Sequence, residues 1–234
     1  ANSSFSLAST AMDFSKNWVA GSSSPEIIFA YVNNSRASSP LNFTLYVNDT
    51  DGSWNYAPSD WCYNSLFADD NTLSRKGDVR LKATFTSQDA NRVIKYPNGT
   101  YQLAETSDYT CTPVVISRIS EMYLIKAEAL GKTNGAAALV EYMKKRYTTA
   151  PSEAAIKALS DKEYQTLILD ERRREFYAEG MRWQDIKRTN RLELLETLDG
   201  RTYLMYYPIP QDEIDMAGTV AYPQNPGYAG YTGN

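Results

Sequence analysis

Hydrophobic spacing changes character part-way along this chain. Over residues 1–113 apolar residues come in short runs separated by Ser, Asn, Thr and Asp. Glu26–Val32 (E-I-I-F-A-Y-V) reads as a mostly buried strand. Leu41, Phe43, Leu45 and Val47 alternate with Asn42, Thr44 and Tyr46, as in a half-exposed strand. Arg80–Phe85 alternates again. Val93–Leu103 is a hairpin candidate across Pro97-Asn98-Gly99, because Asn-Gly supplies the positive φ angles of a tight turn. A short helix is predicted within Phe5–Trp18, and between Asp49 and Asp70 the pattern dissolves into a polar, aromatic loop.

Over residues 114–234 the spacing turns helical. Ser117 is placed to cap a helix over Arg118–Leu130 that Gly131 ends, and Asn134 to cap a second helix running to Tyr147. The short connection predicts an antiparallel hairpin, with Ala127, Ala129 and Ala136–Ala138 small enough for close approach. Ser160 and Glu163 form a capping box for a long helix that Gly180 ends or bends. Pro208, Pro210, Pro223 and Pro226 break the tail into extended and turn segments. The predicted fold class is mainly α, with irregular loops and a few short strands. The loop-rich 1–113 segment and the helical 114–234 segment are expected to form one compact unit. No second copy of the hairpin recurs at a fixed period, so a repeat is not established.

The segment from Asp170 to Arg188 (D-E-R-R-R-E-F-Y-A-E-G-M-R-W-Q-D-I-K-R) departs from ordinary amphipathic design. On a continuous helix, Ile168, Phe176, Trp183 and Ile186 share one side, with Leu167 and Ala178 at its edge. Glu171, Arg172, Glu175, Glu179, Arg182 and Asp185 share that half, while Arg173, Tyr177, Gln184 and Arg188 lie opposite. Charges on a packing face must be paired, because an unpaired buried charge costs several kcal/mol or more. Acids outnumber bases four to two in this set. Arg118 on the neighbouring helix is therefore expected to supply positive charge, with Lys126 as a second candidate.

Composition narrows the chemistry. The net charge is −4 and the chain contains no histidine. That removes the usual general base near neutral pH, Ser-His and Cys-His nucleophile pairs, and His-ligated metal sites. No basic cluster is larger than Arg172-Arg173-Arg174, and that one lies among glutamates, which argues against a nucleic-acid surface. No apolar run approaches the roughly 18–20 residues that span a bilayer. Cys62 and Cys111 cannot make a four-ligand zinc site; they are either one disulfide or two separate small thiols. No metal and no cofactor is implied. The 18 Tyr and 4 Trp outweigh 7 Phe, and such rings, apolar on the face and polar at the edge, suit surfaces that touch sugars or pad a small core.

Four motifs in order resemble the SusD/RagB family: R-I-S-E-M-Y-L-I-K-A-E-A (118–129), E-R-R-R-E-F-Y-A-E-G-M-R-W-Q-D-I-K-R (171–188), Y-P-I-P-Q-D-E-I (207–214) and Q-N-P-G-Y (224–228). Gly77-Asp78-Val79-Arg80 resembles the family's shorter Asp-x-Arg element, and Ser24-Pro25-Glu26-Ile27-Ile28-Phe29 its Ile-Ile-Phe strand. The resemblance implies a SusD-like α/α architecture built on a helical hairpin of the tetratricopeptide type. It also implies an outer-membrane, cell-surface lipoprotein that binds oligosaccharide or polysaccharide without catalysis and passes it to a SusC-like TonB-dependent transporter. Typical members are longer, with N-terminal helical repeats and a lipidated cysteine. The chain is therefore expected to be a C-terminal half or an abbreviated member, with those repeats absent and any lipid anchor outside it. The family motifs are mainly structural, which fits a scaffold role for the network of Arg118, Glu171, Arg172, Glu175, Glu179, Arg182 and Asp185.

A sugar is held by stacking on flat rings and by hydrogen bonds around the rim. The densest such groups are Asp51-Gly52-Ser53-Trp54-Asn55-Tyr56 and Ser59-Asp60-Trp61-Cys62-Tyr63-Asn64, in predicted loop. Trp54, Tyr56, Trp61 and Tyr63 are the ligand-binding candidates, against the alternative that loop aromatics anchor the loop to the core. Trp18 is a weaker candidate, and Trp183 reads as core. Two other classes stay open. One is a helical protein-interaction module with no glycan site of its own. The other is a glycosidase using Asp49 with Asp51, or Asp69 with Asp70, although acidic loop pairs are commonly just solvated.

Overall fold

A computed structural model describes residues 5–19, 24–32, 57–85, 92–95, 113–195, 198, 200–218 and 223–228. The chain divides into two compact units, Ala1–Glu179 and Gly180–Asn234. The predicted strand over 41–47, the Pro97-Asn98-Gly99 hairpin turn, Trp54, Tyr56, Asp49, Asp51 and Cys111 lie outside the described residues.

In the first unit, Thr10 caps α1 (Ala11–Ser15) by accepting from the Asp13 amide, and a 3₁₀ turn follows over Lys16–Trp18. Strand β1 (Ile27–Tyr31) pairs antiparallel with β3 (Val114–Arg118), Ile27 opposite Arg118, and the Ile119 amide donates to the Glu26 carbonyl at 2.8 Å. The two-stranded sheet leaves Ile28, Phe29 and Tyr31 exposed, so the expectation of a buried strand fails. Among the described residues no further strand extends or covers this pair. A second ladder joins β2 (Lys76–Asp78) to β4 (Tyr147–Thr149). Residues 80–84, expected as a strand from their alternation, belong instead to helix α2 (Val79–Thr84). Asp78 caps that helix, accepting from the Arg80 amide at 2.9 Å, and the N-cap prevails over the six-residue alternation.

The helix hairpin forms as its glycine predicts. Helix α3 (Ile119–Arg146) breaks at Gly131, whose φ of 65° and ψ of 173° no helix contains. Its first residues differ from expectation: Ser117 and Arg118 are the end of β3, and the extended Arg118 is the N-cap. A Cβ on Gly135 would lie 2.2 Å from the Ala127 carbonyl oxygen, so the arms meet backbone to backbone. Tyr164 donates to that same carbonyl at 2.8 Å from α5 (Asp161–Glu175), which follows the short α4 (Glu153–Ala158). Ser160 and Glu163 close the capping box of α5, as expected.

That long helix ends early. Phe176 is the C-cap of α5, and Ala178 (φ 64°) and Gly180 (φ 79°) turn the chain out of the helix. In the second unit α6 (Met181–Thr189) has Ile186 fully buried in a cluster with Leu198 and Met205, and Trp183 packs partly buried against it. A 3₁₀ turn over Thr202–Met205 and α7 (Gln211–Met216) complete the described elements. Among the described residues no helix is long and apolar enough to cross a membrane.

Gly135→Ala should lower stability by about 1–3 kcal/mol, because the added methyl meets backbone that cannot move aside. Urea unfolding checks this, and an unchanged midpoint would contradict the close crossing of the two arms.

Candidate functional site

Two groups of side chains could carry chemistry, a buried charge network and a surface aromatic loop. The network centres on Glu175, at the end of α5 and fully buried. One carboxylate oxygen accepts from Arg118 at 2.6 Å and Arg146 at 2.9 Å. The other accepts from the Tyr142 hydroxyl at 2.7 Å, Arg146 at 2.9 Å and Arg80 at 3.3 Å. Glu26, just before β1, is likewise buried and accepts from Arg146 at 2.7 Å, the Ala8 amide at 2.6 Å, Asn17 at 2.9 Å and Arg118 at 3.3 Å. One turn back on α5, Glu171 accepts from Tyr147 at 2.6 Å, and from Arg80 and Arg174 at 2.9 Å each.

The cations are boxed in by rings. Arg146 lies 4.9 Å from the Phe14 ring centre, and Arg118 lies 5.1 Å from Phe176 and 5.3 Å from Trp18. Lys95 is buried above Trp18 at 4.5 Å and donates to Glu179 at 2.7 Å and to the Glu175 carbonyl at 2.9 Å. Burial works against ionisation of Glu175, yet Arg146, Arg118 and Arg80 outweigh it and hold the carboxyl well below the ordinary range. Burial also opposes ionisation of Glu171, and Arg80, Arg174 and Arg75 again reverse the sign. Carboxylates held ionised, sealed from water and fully engaged are poor proton carriers. The arrangement joins segments of the first unit that lie far apart in sequence.

The predicted set is thus partly assembled. Arg118, Glu171, Glu175 and Glu179 meet in the network, Glu179 accepting from Arg118 at 2.9 Å. Arg172 sits at its edge, 3.4 Å from Glu121. Arg182 and Asp185 belong to the second unit, where Asp185 pairs with Arg188 at 2.9 Å. The helical wheel assumed an unbroken helix, and the turn after Phe176 ends that geometry. Lys126 is exposed; the added positive charge comes from Arg80, Lys95, Arg118 and Arg146. Glu26 and Arg80 lie inside short motifs visible in the sequence, whereas Arg146 and Lys95 had no motif to mark them.

The loop shows a different chemistry. Trp61 stands at the start of a π-helical turn over Cys62–Leu66 and is 45% exposed. The guanidinium of Arg173, from the opposite half of α5, lies 4.3 Å from its ring centre. Among the described residues no carboxylate lies within ion-pair distance of Arg173. Tyr63 points the other way, packing on Phe85 at 5.4 Å beside the buried Cys62, Leu66, Phe67 and Val93. Cys62 is a free buried thiol within 3.4 Å of the Tyr177 hydroxyl. Trp18, the weaker ligand candidate, is fully buried against Phe14 and so belongs to the core. Asp69 and Asp70 organise turns: Asp69 accepts from the Gly77 amide at 2.8 Å, and Asp70 from the Thr72 amide at 2.9 Å. Among the described residues no three acids or cysteines are grouped to hold a metal.

The SusD family model matches residues 69–199, more than half of the chain. The chain belongs to the SusD family. The SusD-like protein P38 of Formosa agariphila is 30% identical over 142 residues, covering 55% of this chain and 27% of that protein. Among solved structures, a SusD superfamily protein from Bacteroides fragilis superposes with a TM-score of 0.64 at 19% identity, over 97% of this chain and 56% of its own. Surface glycan-binding protein A from Bacteroides thetaiotaomicron gives a TM-score of 0.60 at 21% identity, over 95% of this chain and 56% of its own. These likenesses show a common fold. The chain spans about a quarter of the curated relative and just over half of the solved structures. Within the matched SusD region, the E-R-R-R-E motif places Glu171, Arg174 and Glu175 inward and Arg173 under Trp61.

Glu175→Gln leaves three guanidiniums around a neutral amide and should cost about 3–5 kcal/mol in urea unfolding. An effect below 1 kcal/mol would contradict the network's structural weight. Lys95 gives a pH signature. Burial, opposed by Glu179, lowers its ammonium from 10.5 to about 8, so the unfolded chain binds the extra proton between those values. Stability from this group therefore rises as pH goes from 8 to 10.5 and is lost on the way down. Lys95→Met should remove that rise from the wild-type pH profile; identical slopes in the two proteins would exclude it.

Proposed function

We propose that this SusD-family chain is a non-catalytic glycan-binding protein of the outer-membrane cell surface. In this reading it holds an oligosaccharide or polysaccharide and hands it to a SusC-like TonB-dependent transporter. The observation that carries the reading is Trp61, a half-exposed indole backed by the guanidinium of Arg173, which is mounted on the family-matched helix α5. A ring fixed from beneath loses little freedom when a sugar stacks on its open area, and Arg173 is at hand to donate to hydroxyls or acidic substituents. Surface glycan-binding protein A, with the same fold, supports glycans as the ligand class. Trp54 and Tyr56 are proposed as further ligand-binding residues, while Tyr63 packs on Phe85 and anchors the loop. The buried acids are fully paired, which supports binding without catalysis.

A second reading, a protein-interaction module, is favoured by the exposed Phe29, Tyr31, Met122 and Ile125.

Affinity electrophoresis through a panel of polysaccharides separates the two. Retardation should appear on at least one glycan and fall roughly tenfold or more in Trp61→Ala, since burying an aromatic ring is worth about 1.5–3 kcal/mol. Retardation on no glycan, with capture of a transporter, would favour the second reading. Release of reducing ends would overturn the non-catalytic assignment.

A further inference from the structure

The second unit holds a cavity of about 410 Å³ between the end of α6, the Thr202–Met205 turn and Pro226-Gly227. That size falls within the roughly 300–1,000 Å³ of ligand pockets. Its walls are held by the tail motif. The Gln224 side-chain carbonyl accepts from the Ile209 amide at 2.7 Å while its NH₂ donates to the Ile209 carbonyl at 2.9 Å. Asn225 donates to the Tyr207 carbonyl at 2.7 Å, and the Tyr228 hydroxyl to the Tyr206 carbonyl at 2.8 Å. Gly227 has φ 94°, and a Cβ there would sit 2.2 Å from the Tyr203 ring, so only glycine lets the tail close on it. Tyr228 meets the same ring edge-on, with centres 5.0 Å apart.

The lining pairs this fixed Tyr203 ring and the buried Met205 with the polar side chains of Lys187, Asn190 and Thr202. Tyr206, on the rim, is 63% exposed. Among the described residues the Lys187 ammonium, the Asn190 side-chain amide and the Thr202 hydroxyl make no hydrogen bond or ion pair. Asn190 is held in the left-handed region at φ 52° by its own amide bonding back to α6. An aromatic wall, an apolar floor and spare donors and acceptors around the mouth are what a hydroxylated pyranose needs: CH groups against rings, hydroxyls against an amide and an ammonium.

We propose that this cavity is a second saccharide subsite, separate in sequence and chemistry from the Trp61 loop. The proposal rests on the glycan-binding reading for its ligand class. Substitutions can remove its side chains without touching the clamp. Tyr206 uses only its backbone carbonyl in the clamp, and Asn190→Gly keeps the left-handed conformation.

The test is ¹³C-methyl methionine NMR of the chain, titrated with glucan, xylan, mannan and alginate hexasaccharides. Expected is a saturable shift of the Met205 resonance with at least one of them, in wild type and in Trp61→Ala alike. Tyr206→Ala with Asn190→Gly should weaken that response at least fivefold, and Tyr206→Phe should retain it. Should the double variant fail to fold, Lys187→Ala on the exposed face of α6 should still weaken it. A Met205 resonance that stays still at saccharide concentrations saturating a Trp61-dependent signal overturns the subsite while leaving the loop reading intact. No response to any saccharide in either region overturns both.

Discussion

Everything in the first unit leans on one ionised carboxylate that water does not reach. Glu175 is buried among Arg80, Arg118, Arg146 and Tyr142, and these partners arrive from three different elements of the chain. Arg80 comes from α2, Arg118 from the end of β3, and Tyr142 and Arg146 from the second arm of α3. Removing several charges from water is costly, and the mutual attraction offsets it only when geometry and hydrogen bonding are nearly complete. This constraint is strict: any shift of one element would strand a buried charge. Such a core can reject misregistered packings that a purely apolar core would tolerate.

The same helix serves two faces. Glu171, Arg174 and Glu175 turn inward to the network, while Arg173, and Tyr177 just past the C-cap, turn toward the aromatic loop. Binding surfaces do well on rigid mounts, because a ring already fixed has less freedom to lose when a ligand arrives. The exposed Trp61 therefore gains from the buried ion pairs although it touches none of them. The second unit repeats the logic with neutral groups: Gln224 and Asn225 lock the backbone at Ile209 and Tyr207, and Tyr206 and Tyr207 are left presented.

The scaffold was more legible in the sequence than the site. Gly131, the Ser160–Glu163 box and the mixed-charge face of α5 are local signals whose physics acts within a few residues. The partners Arg146 and Lys95 were not legible, because long-range pairing leaves no spacing to read. Where local signals competed, the alternation over Arg80–Phe85 gave way to the Asp78 cap. The wheel over Asp170–Arg188 carried past Phe176 because nothing marks Ala178 for a positive φ, an uncommon state for alanine. In the loop, composition singled out Trp61 and Tyr63 alike, but only tertiary packing distinguishes the exposed ring from the one tucked against Phe85.

Glu175 and its arginines act as one coupled unit. A double-mutant cycle in urea on Arg146→Met, Glu175→Met and the combined variant tests it most directly. Coupling of several kcal/mol is predicted, with the combined variant more stable than the sum of single losses allows, since a lone buried charge is worse than none. Additive losses would show that the two residues contribute independently and would contradict the claim.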